Sequence, residues 1–181
     1  MSEQFEIVII GAGSSGLCAA IKLKQAGIEN FAILEKGKGL GGTWYWNQYP
    51  GAECDVQSHL YSFSFEPNPH WSQPFAGQIE ILDYLQHCAE KYDLLKHIRF
   101  DTEVSNCLWS DETSRWQITT RNGNKLFTQM CVSALGMFNN VVWPDIDGIE
   151  TFSGESFHSA RWNHDVNLKD KRVGVVGIAW S

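Results

Sequence analysis

Three glycines near the amino terminus form the pattern that most clearly points to chemistry. Gly11, Gly13 and Gly16 follow an apolar run of strand length at 5–10. The first glycine allows a sharp turn off the strand, the second removes a side chain where a phosphate must touch the backbone, and the third lets the next helix pack closely on the sheet. The N–H groups and the positive dipole end of that helix would face the phosphate. This spacing predicts a dinucleotide-binding βα turn.

An acidic residue at the end of the second predicted strand supports this interpretation. A glycine turn alone is a weak signal, and the supporting feature is a carboxylate about twenty residues further on that holds a ribose hydroxyl. The apolar segment 31–34 runs directly into Glu35. Strand, glycines, helix, strand and acid therefore occur in the expected order. The alternative is a glycine-rich turn in an unrelated α/β unit.

Composition limits the class of partner. The chain has 181 residues, with 14 Lys and Arg against 21 Asp and Glu and a formal net charge of −7. Nucleic acids and anionic membranes need clustered basic residues, so a small organic molecule fits better as the partner. No apolar stretch reaches the roughly 20 residues of a membrane span, and the acidic amino terminus is unlike a signal peptide.

The cysteines indicate the compartment. There are 5 cysteines and no C-x-x-C pair, so neither a zinc ribbon nor a disulfide scaffold is predicted. We expect no metal site, and a cytoplasmic location in which thiols stay reduced.

The elements that must position these residues alternate between strand and helix and then become a run of strands. Apolar spacing predicts helices over 14–27 and 78–92. The predicted strands are 5–10, 31–35, 98–100, 103–109, 116–120 and 125–134. The dipeptide Asn122-Gly123 is typical of a β-hairpin turn. We therefore expect an α/β fold: a Rossmann-like domain with a parallel sheet, crossover helices and an inserted antiparallel β-meander.

The connection over 36–74 is long and rich in glycine, proline and aromatic residues. A connection of this length in a compact domain is usually functional or disordered. Its aromatic content argues against disorder, because aromatic side chains bury well and disordered tracts lack them. The aromatic cluster around Trp44 and Trp46 is as compatible with a core as with the wall of a ligand site.

Three stretches, at residues 41–56, 58–65 and 152–162, resemble parts of the class B flavin-dependent monooxygenases, the family of the Baeyer–Villiger and flavin-containing monooxygenases. Residues 41–56, GGTWYWNQYPGAECDV, look like the flavin-side loop of the Baeyer–Villiger group, and residues 58–65, SHLYSFSF, continue the match. Residues 152–162, FSGESFHSARW, fit the family fingerprint F-x-G-x-x-x-H-x-x-x-W. The resemblance covers essentially the whole chain and implies an FAD-binding domain.

The resemblance implies cofactor-binding roles position by position. The glycine turn would hold the FAD pyrophosphate, Glu35 the adenosine ribose, residues 42–44 the ribityl chain and flavin edge, and Val104 the adenine through its backbone. Residues 134–136 resemble an A-T-G strand end in which Leu135 replaces Thr, so a hydroxyl is lost there. The cofactor-binding residues implied in this way are Gly11, Gly13, Ser14, Ser15, Gly16, Glu35, Gly42, Thr43, Trp44, Asp55, Val104, Ala134 and Gly136.

Asp55 and His158 are implied to have catalytic roles. In this family an acid in the place of Asp55 lies near the reactive face of the flavin and pairs with an Arg from a second nucleotide domain, which it keeps oriented. His158 is the fingerprint histidine. From the residues alone, Asp55 could simply cap the next turn, and His158 and Trp162 could be a surface imidazole and a packing anchor. Cys54 and His59 are too few ligands for a zinc site.

The implied chemistry is cofactor chemistry. NADPH would reduce FAD, and one atom of O2 would enter a ketone, as in a Baeyer–Villiger reaction, or an amine or sulfide. A non-catalytic FAD-binding fragment or pseudogene product is the alternative. An FAD-linked disulfide reductase would need a closely spaced cysteine pair soon after Glu35, whereas Cys54 has no partner before Cys88.

The order of motifs predicts three parts. These are an FAD-binding domain over 1–140, an interdomain linker over 141–170 that holds the fingerprint, and the truncated start of an NADPH-binding domain over 171–181. Residues 172–177 repeat the opening pattern of a charged residue, a buried strand and a glycine, but Ala179 stands where a second glycine is needed. We expect an incomplete chain with an unpaired strand at 172–177, marginal stability and no NADPH turnover on its own.

Overall fold

One six-stranded sheet carries the fold in the computed structural model, which describes residues 3–138 and 140–177. The helices are α1 (Ser14–Gln25), α2 (Thr43–Trp46) and α3 (Gln78–Lys91). The strands are β1 (Glu3–Ile10), β2 (Phe31–Leu34), β3 (Ile98–Arg99), β4 (Val104–Ser110), β5 (Arg115–Thr120) and β6 (Lys125–Ser133). Short 3₁₀ helices span Leu95–His97, Ile149–Thr151 and Ser159–Arg161.

The strand order is β3-β2-β1-β6-β5-β4. β1, β2 and β3 are parallel, β6 is parallel to β1, and β4, β5 and β6 form an antiparallel meander. The predicted α/β fold with a parallel sheet and an antiparallel meander is confirmed. β6 joins the two parts, because it pairs with β5 over 125–128 and with β1 over 126–133.

The core lies on both faces of the parallel strands, which explains why β2 is apolar at every position. On one face, Ile9 and Ile33 pack with buried residues of α1 and α3 such as Leu17 and Ile81. On the other face, Val8, Ala32 and Leu34 pack with Ile118 and Leu126 of the meander. This packing fixes the carboxyl ends of β1 and β2 side by side, where the glycine turn and Glu35 follow.

Three segments differ from the sequence prediction. β1 begins at Glu3, earlier than its apolar run, because Glu3 pairs with Leu126 of β6. The end of the meander, whose apolar sequence over 130–136 predicts a buried strand, is partly exposed, since Met130 in β6 is 55% exposed. Residues 172–177, predicted as a buried strand, are not in a strand, and Val175 is 83% exposed. A strand requires a neighbour for its backbone groups, and no described strand pairs with this segment.

The division at 140 and 170 stays a prediction, and the comparison of Ala179 with a second glycine lies outside the described residues. Within 3–138 and 140–177, no helix combines the length and the apolar character that crossing a membrane demands.

The aromatic connection after β2 is ordered against α3. The Tyr84 hydroxyl donates to the Glu66 carbonyl (2.8 Å) and accepts the Phe63 N–H (2.8 Å). The Glu66 carboxylate accepts hydrogen bonds from Lys91 Nζ (2.7 Å) and the Tyr92 hydroxyl (2.9 Å). The bond from Lys91, with a smaller contribution from Tyr92, lowers the pKa of Glu66.

Glu66 makes the stability of the chain depend on pH. Because its folded-state pKa lies below the unfolded value of about 4.3, its stabilisation is present above that pH and is lost as the pH falls through the folded pKa. We expect the free energy of unfolding to fall less between about pH 6 and about pH 3 in Glu66→Gln than in the unmodified chain. Urea unfolding followed by circular dichroism measures this. Glu112→Gln, at an exposed position, is the control and should behave as the unmodified chain; equal pH dependence in all three proteins would contradict the assignment.

Candidate cofactor site

An open cleft of about 250 Å³ lies where β1, β2 and β6 end. Its walls come from the glycine turn, the start of α2, the segment that leads into β4 and the residues after β6. Most of the predicted cofactor residues line it: Gly11, Gly13, Ser14, Ser15, Glu35, Gly42, Thr43, Trp44, Val104, Ala134 and Gly136. The fold thus brings together residues that are as much as 125 positions apart, counted from Gly11 to Gly136.

The glycine turn depends on close backbone contacts. Gly11 has a φ of +105°, and a Cβ there would lie 2.4 Å from the Ala134 carbonyl oxygen. A Cβ at Gly16 would lie 1.9 Å from the Gly11 carbonyl oxygen. Gly16 is therefore a support beneath the turn and does not line the cleft. At Gly13, by contrast, an added Cβ would meet nothing closer than Gly42 Cα at 3.4 Å, so a side chain there would mainly occupy the cleft.

Helix α1 presents its amino-terminal end to the cleft without a side-chain cap. Gly13 is the N-cap residue, and among the described residues no side chain accepts a hydrogen bond in that role. The first N–H groups of a helix have no partner within the helix, and they lie at the positive end of its dipole. Ser14 and Ser15, the first two residues of α1, are exposed and line the cleft. An anion in the cleft would meet these donors.

Glu35 links the glycine turn after β1 to β3 and to the segment before β4. Its side chain is buried, and its carboxylate oxygens accept the N–H groups of Ala12 (2.8 Å) and Gly37 (2.8 Å). Its backbone N–H donates to the Arg99 carbonyl (2.9 Å), and its own carbonyl accepts the Thr102 N–H (2.8 Å). Each carboxylate oxygen keeps a further lone pair for another donor. The acid predicted to hold a ribose thus also fixes the glycine turn.

Helix α2 and the aromatic connection form the opposite wall. Gly42 lies directly against the glycine turn, since a Cβ on it would be 2.9 Å from Gly13 Cα. Trp44 is buried, and its Nε1 donates to the Tyr61 hydroxyl (3.0 Å). Burial raises the pKa of Tyr61, and the charges of Cys54 and Asp55 raise it further. The hydroxyl therefore stays neutral at physiological pH and keeps its proton.

Asp55 does not line the cleft. It is exposed in the connection between α2 and α3. Its charge is close enough to raise the pKa of Tyr61, which does line the cleft, and of the buried Cys54 thiol, although burial is the larger cause for both. The catalytic role of Asp55 stays a prediction.

His158 also lies outside the cleft lining. Its Nδ1 accepts the Ala160 N–H (3.1 Å) and caps the 3₁₀ helix Ser159–Arg161, which assigns the proton of a neutral ring to Nε2. The ring lies edge-to-face with Trp143 at 6.1 Å, and Phe157 and Trp162 make a similar pair at 5.0 Å. These contacts are those expected if the fingerprint residues serve in packing. A catalytic role for His158 stays a prediction.

Several cleft residues were not predicted from the sequence. Tyr61 and Trp46 lie in the aromatic connection after β2. Its aromatic content was the sequence feature from which their place in the cleft could have been predicted. Thr102 and Glu103 gave no signal, because they reach the cleft only through the backbone bond of Thr102 to Glu35. The unpredicted lining residues are Ile10, Leu34, Lys36, Gly41, Trp46, Tyr61, Thr102, Glu103, Phe138 and Asn140. Leu135, where the family has Thr, also lines the cleft.

Comparison with known sequences points to one family. Residues 4–181 match the family model FMO-like, described as flavin-binding monooxygenase-like. A Baeyer–Villiger monooxygenase of Streptomyces coelicolor is 47% identical over 179 residues, which are 99% of this chain and 34% of that protein. A Baeyer–Villiger monooxygenase of Pseudomonas aeruginosa is 47% identical over 176 residues, 97% of this chain and 33% of that protein. The chain spans about a third of the length of these curated relatives.

Solved structures agree with the sequence comparison. An oxidized steroid monooxygenase bound to NADP has a TM-score of 0.88 at 41% identity, over 97% of this chain and 34% of that one. A closed form of cyclohexanone monooxygenase has a TM-score of 0.91 at 37% identity, over 99% of this chain and 34% of that one. The predicted resemblance is confirmed. Because the family model matches nearly the whole length, this chain belongs to the flavin-binding monooxygenase-like family.

Proposed function

We propose that this chain is the FAD-binding part of an FAD- and NADPH-dependent monooxygenase that inserts one oxygen atom of O2 into a ketone. The observation that carries the proposal is a single cleft faced by the uncapped end of α1, the open position at Gly13 and the Glu35 carboxylate. The names of the sequence relatives support a Baeyer–Villiger reaction, and oxygenation of an amine or sulfide is the variant within the same chemistry.

The cleft fits the adenosine diphosphate half of FAD. A pyrophosphate would accept hydrogen bonds from the first N–H groups of α1, with Ser14 and Ser15 beside it, and Gly13 leaves the approach open. The free lone pairs of the Glu35 carboxylate would accept ribose hydroxyls. Val104 lines the same cleft, and we assign its backbone to the adenine. Lys36, which also lines it, adds positive charge on this side.

The flavin half would follow Gly42 and Thr43 towards Trp44. Residues of this chain can bind, orient and shield it, and the flavin supplies hydride acceptance from NADPH and activation of O2 when bound. The Tyr61 hydroxyl accepts the Trp44 N–H and stays protonated, so it retains a hydrogen-bond donor at this wall. Asp55 is exposed and thus available to pair with a cationic side chain, which it would keep oriented. We assign His158 to the fingerprint of the proposed linker.

A non-catalytic FAD-binding fragment is the second candidate. It is favoured by one observation, that residues 172–177 join no strand among the described residues. Both candidates require the same cleft and the same FAD contacts. They differ only in whether the bound FAD takes part in an oxygenation reaction. The five cysteines, which are all free thiols in the structure, support a cytoplasmic location for either.

Replacing Gly13 tests the phosphate approach. We expect Gly13→Ala to weaken FAD binding about tenfold or more, because the methyl group would occupy the place of a pyrophosphate oxygen at a cost of about 1–3 kcal/mol. Fluorescence titration of FAD gives the dissociation constant. Gly77→Ala is a matched control, since Gly77 is the N-cap of α3 with similar backbone angles (φ −73°, ψ 164°, against −78° and −175° at Gly13). Equal FAD affinity in the two variants would contradict the proposal.

Replacing Glu35 tests whether its carboxylate stabilises the glycine turn and binds FAD. In Glu35→Gln the amide group has one acceptor oxygen, so its NH2 must face the N–H of either Ala12 or Gly37. We expect the free energy of unfolding to fall by about 1–3 kcal/mol and FAD affinity to fall as well. Urea unfolding and FAD titration measure the two effects. Glu90→Gln, at an exposed position on α3, should change neither; an unchanged Glu35→Gln protein would refute the role of this carboxylate.

NADPH oxidation tests whether the 181-residue chain turns over by itself. We expect the 181-residue chain, saturated with FAD, to consume NADPH no faster than free FAD does, because residues 171–177 join no described strand and so build no nucleotide-binding sheet. The measurement is the loss of NADPH absorbance under air, with free FAD as the blank. Rapid consumption would show that the chain by itself is competent.

A further inference from the structure

The fingerprint segment 152–162 contacts the wall of the cofactor cleft through the Arg161 side chain. The Arg161 guanidinium carbon lies 4.2 Å from the centroid of the Trp46 ring, a cation–π distance. Trp46 is the last residue of α2 and lines the cleft. The two residues are far apart in the sequence, so only the fold brings them together.

Arg161 is held in place by the turn that His158 caps. Its Nη1 donates to the Ala160 carbonyl (2.6 Å), and its backbone N–H donates to the His158 carbonyl (2.8 Å). Ala160 is buried, and its N–H donates to His158 Nδ1 (3.1 Å). The fingerprint histidine therefore shapes the short 3₁₀ helix from which the guanidinium reaches Trp46.

Trp46 in turn packs against the backbone that follows Glu35, the carboxylate that we assign to the ribose. A Cβ added to Gly37 would lie 3.0 Å from the Trp46 ring, so the indole rests directly on this backbone. The Gly37 N–H donates to the Glu35 carboxylate (2.8 Å). Lys36 Nζ lies 5.6 Å from the Trp46 centroid. The Trp46 ring thus contacts Arg161 directly and is connected to Glu35 through Gly37.

We propose that Arg161 is a positioning residue that latches the linker onto Trp46 and thereby holds this wall of the cleft in place for FAD. The inference rests on the proposed FAD site. Because coupling between two sites is reciprocal, FAD should stabilise the latch by the same factor by which the latch tightens FAD.

The first measurement is FAD affinity in Arg161→Met, which keeps most of the aliphatic stem and removes the planar cation. We expect the dissociation constant to rise roughly two- to fivefold, the effect of an exposed cation–π pair. Arg161→Lys should recover part of the loss, because it keeps the charge without the planar stacking group. Arg172→Met, at another exposed arginine in the same part of the chain, should match the unmodified protein. Unchanged affinity in Arg161→Met would overturn the proposal.

A double-mutant cycle identifies Trp46 as the partner. Trp46→Leu removes the ring, so adding Arg161→Met to it should cost no further FAD affinity. Additive losses in the double variant would mean that Arg161 acts elsewhere.

Hydrogen exchange separates failure of the latch from failure of the FAD site. In the cofactor-free protein, Arg161→Met and Trp46→Leu should speed exchange of the amides at 157–163, and Arg172→Met should not. In the unmodified protein, FAD should slow exchange there. If FAD does not bind, the proposed function fails while the cofactor-free comparison still tests the latch; equal exchange in all cofactor-free proteins would overturn the latch.

Discussion

The site depends on the bridge that Glu35 makes between two backbone segments. The N–H groups of Ala12 and Gly37 converge on a single carboxylate that is 5% exposed. A buried carboxylate is costly unless it is hydrogen-bonded, and bonds to an ionised acceptor are stronger than neutral ones. The glycine turn therefore cannot shift relative to the end of β2 without losing these bonds. Arg99 and Thr102 extend the same bridge through backbone bonds to β3 and to the segment before β4.

The sheet explains why distant residues reach this bridge. β6 is both the last strand of the meander and the parallel neighbour of β1, so its carboxyl end brings Ala134 and Gly136 beside the glycine turn. The meander packs over β1 and β2 through Ile118 and Leu126. Ligands of open α/β sheets lie outside the carboxyl ends of the parallel strands, and the cleft is found at that edge.

Aromatic side chains hold the irregular segments that close the cleft. Trp44 bonds to Tyr61 across the connection after β2, and the Tyr84 hydroxyl bonds the same connection to α3. Trp46 packs against the Arg161 guanidinium of the segment 152–162. Aromatic groups combine a large apolar area with a polar or π-face contact. They can therefore order a segment that has little regular secondary structure and keep its backbone free to line a ligand site.

The sequence by itself determined the βα turn, Glu35, both long helices and the run of strands, because glycine spacing and apolar periodicity are local properties. Its resemblance to a flavoenzyme family also indicated the cleft residues at 42–44, Val104, Ala134 and Gly136. Only the tertiary structure decided that Trp46, Tyr61 and Thr102 line the cleft, since these residues reach it through contacts between distant segments. It likewise left Asp55 outside the lining. An apolar run becomes a strand only where another strand accepts its hydrogen bonds, and 172–177 had none among the described residues.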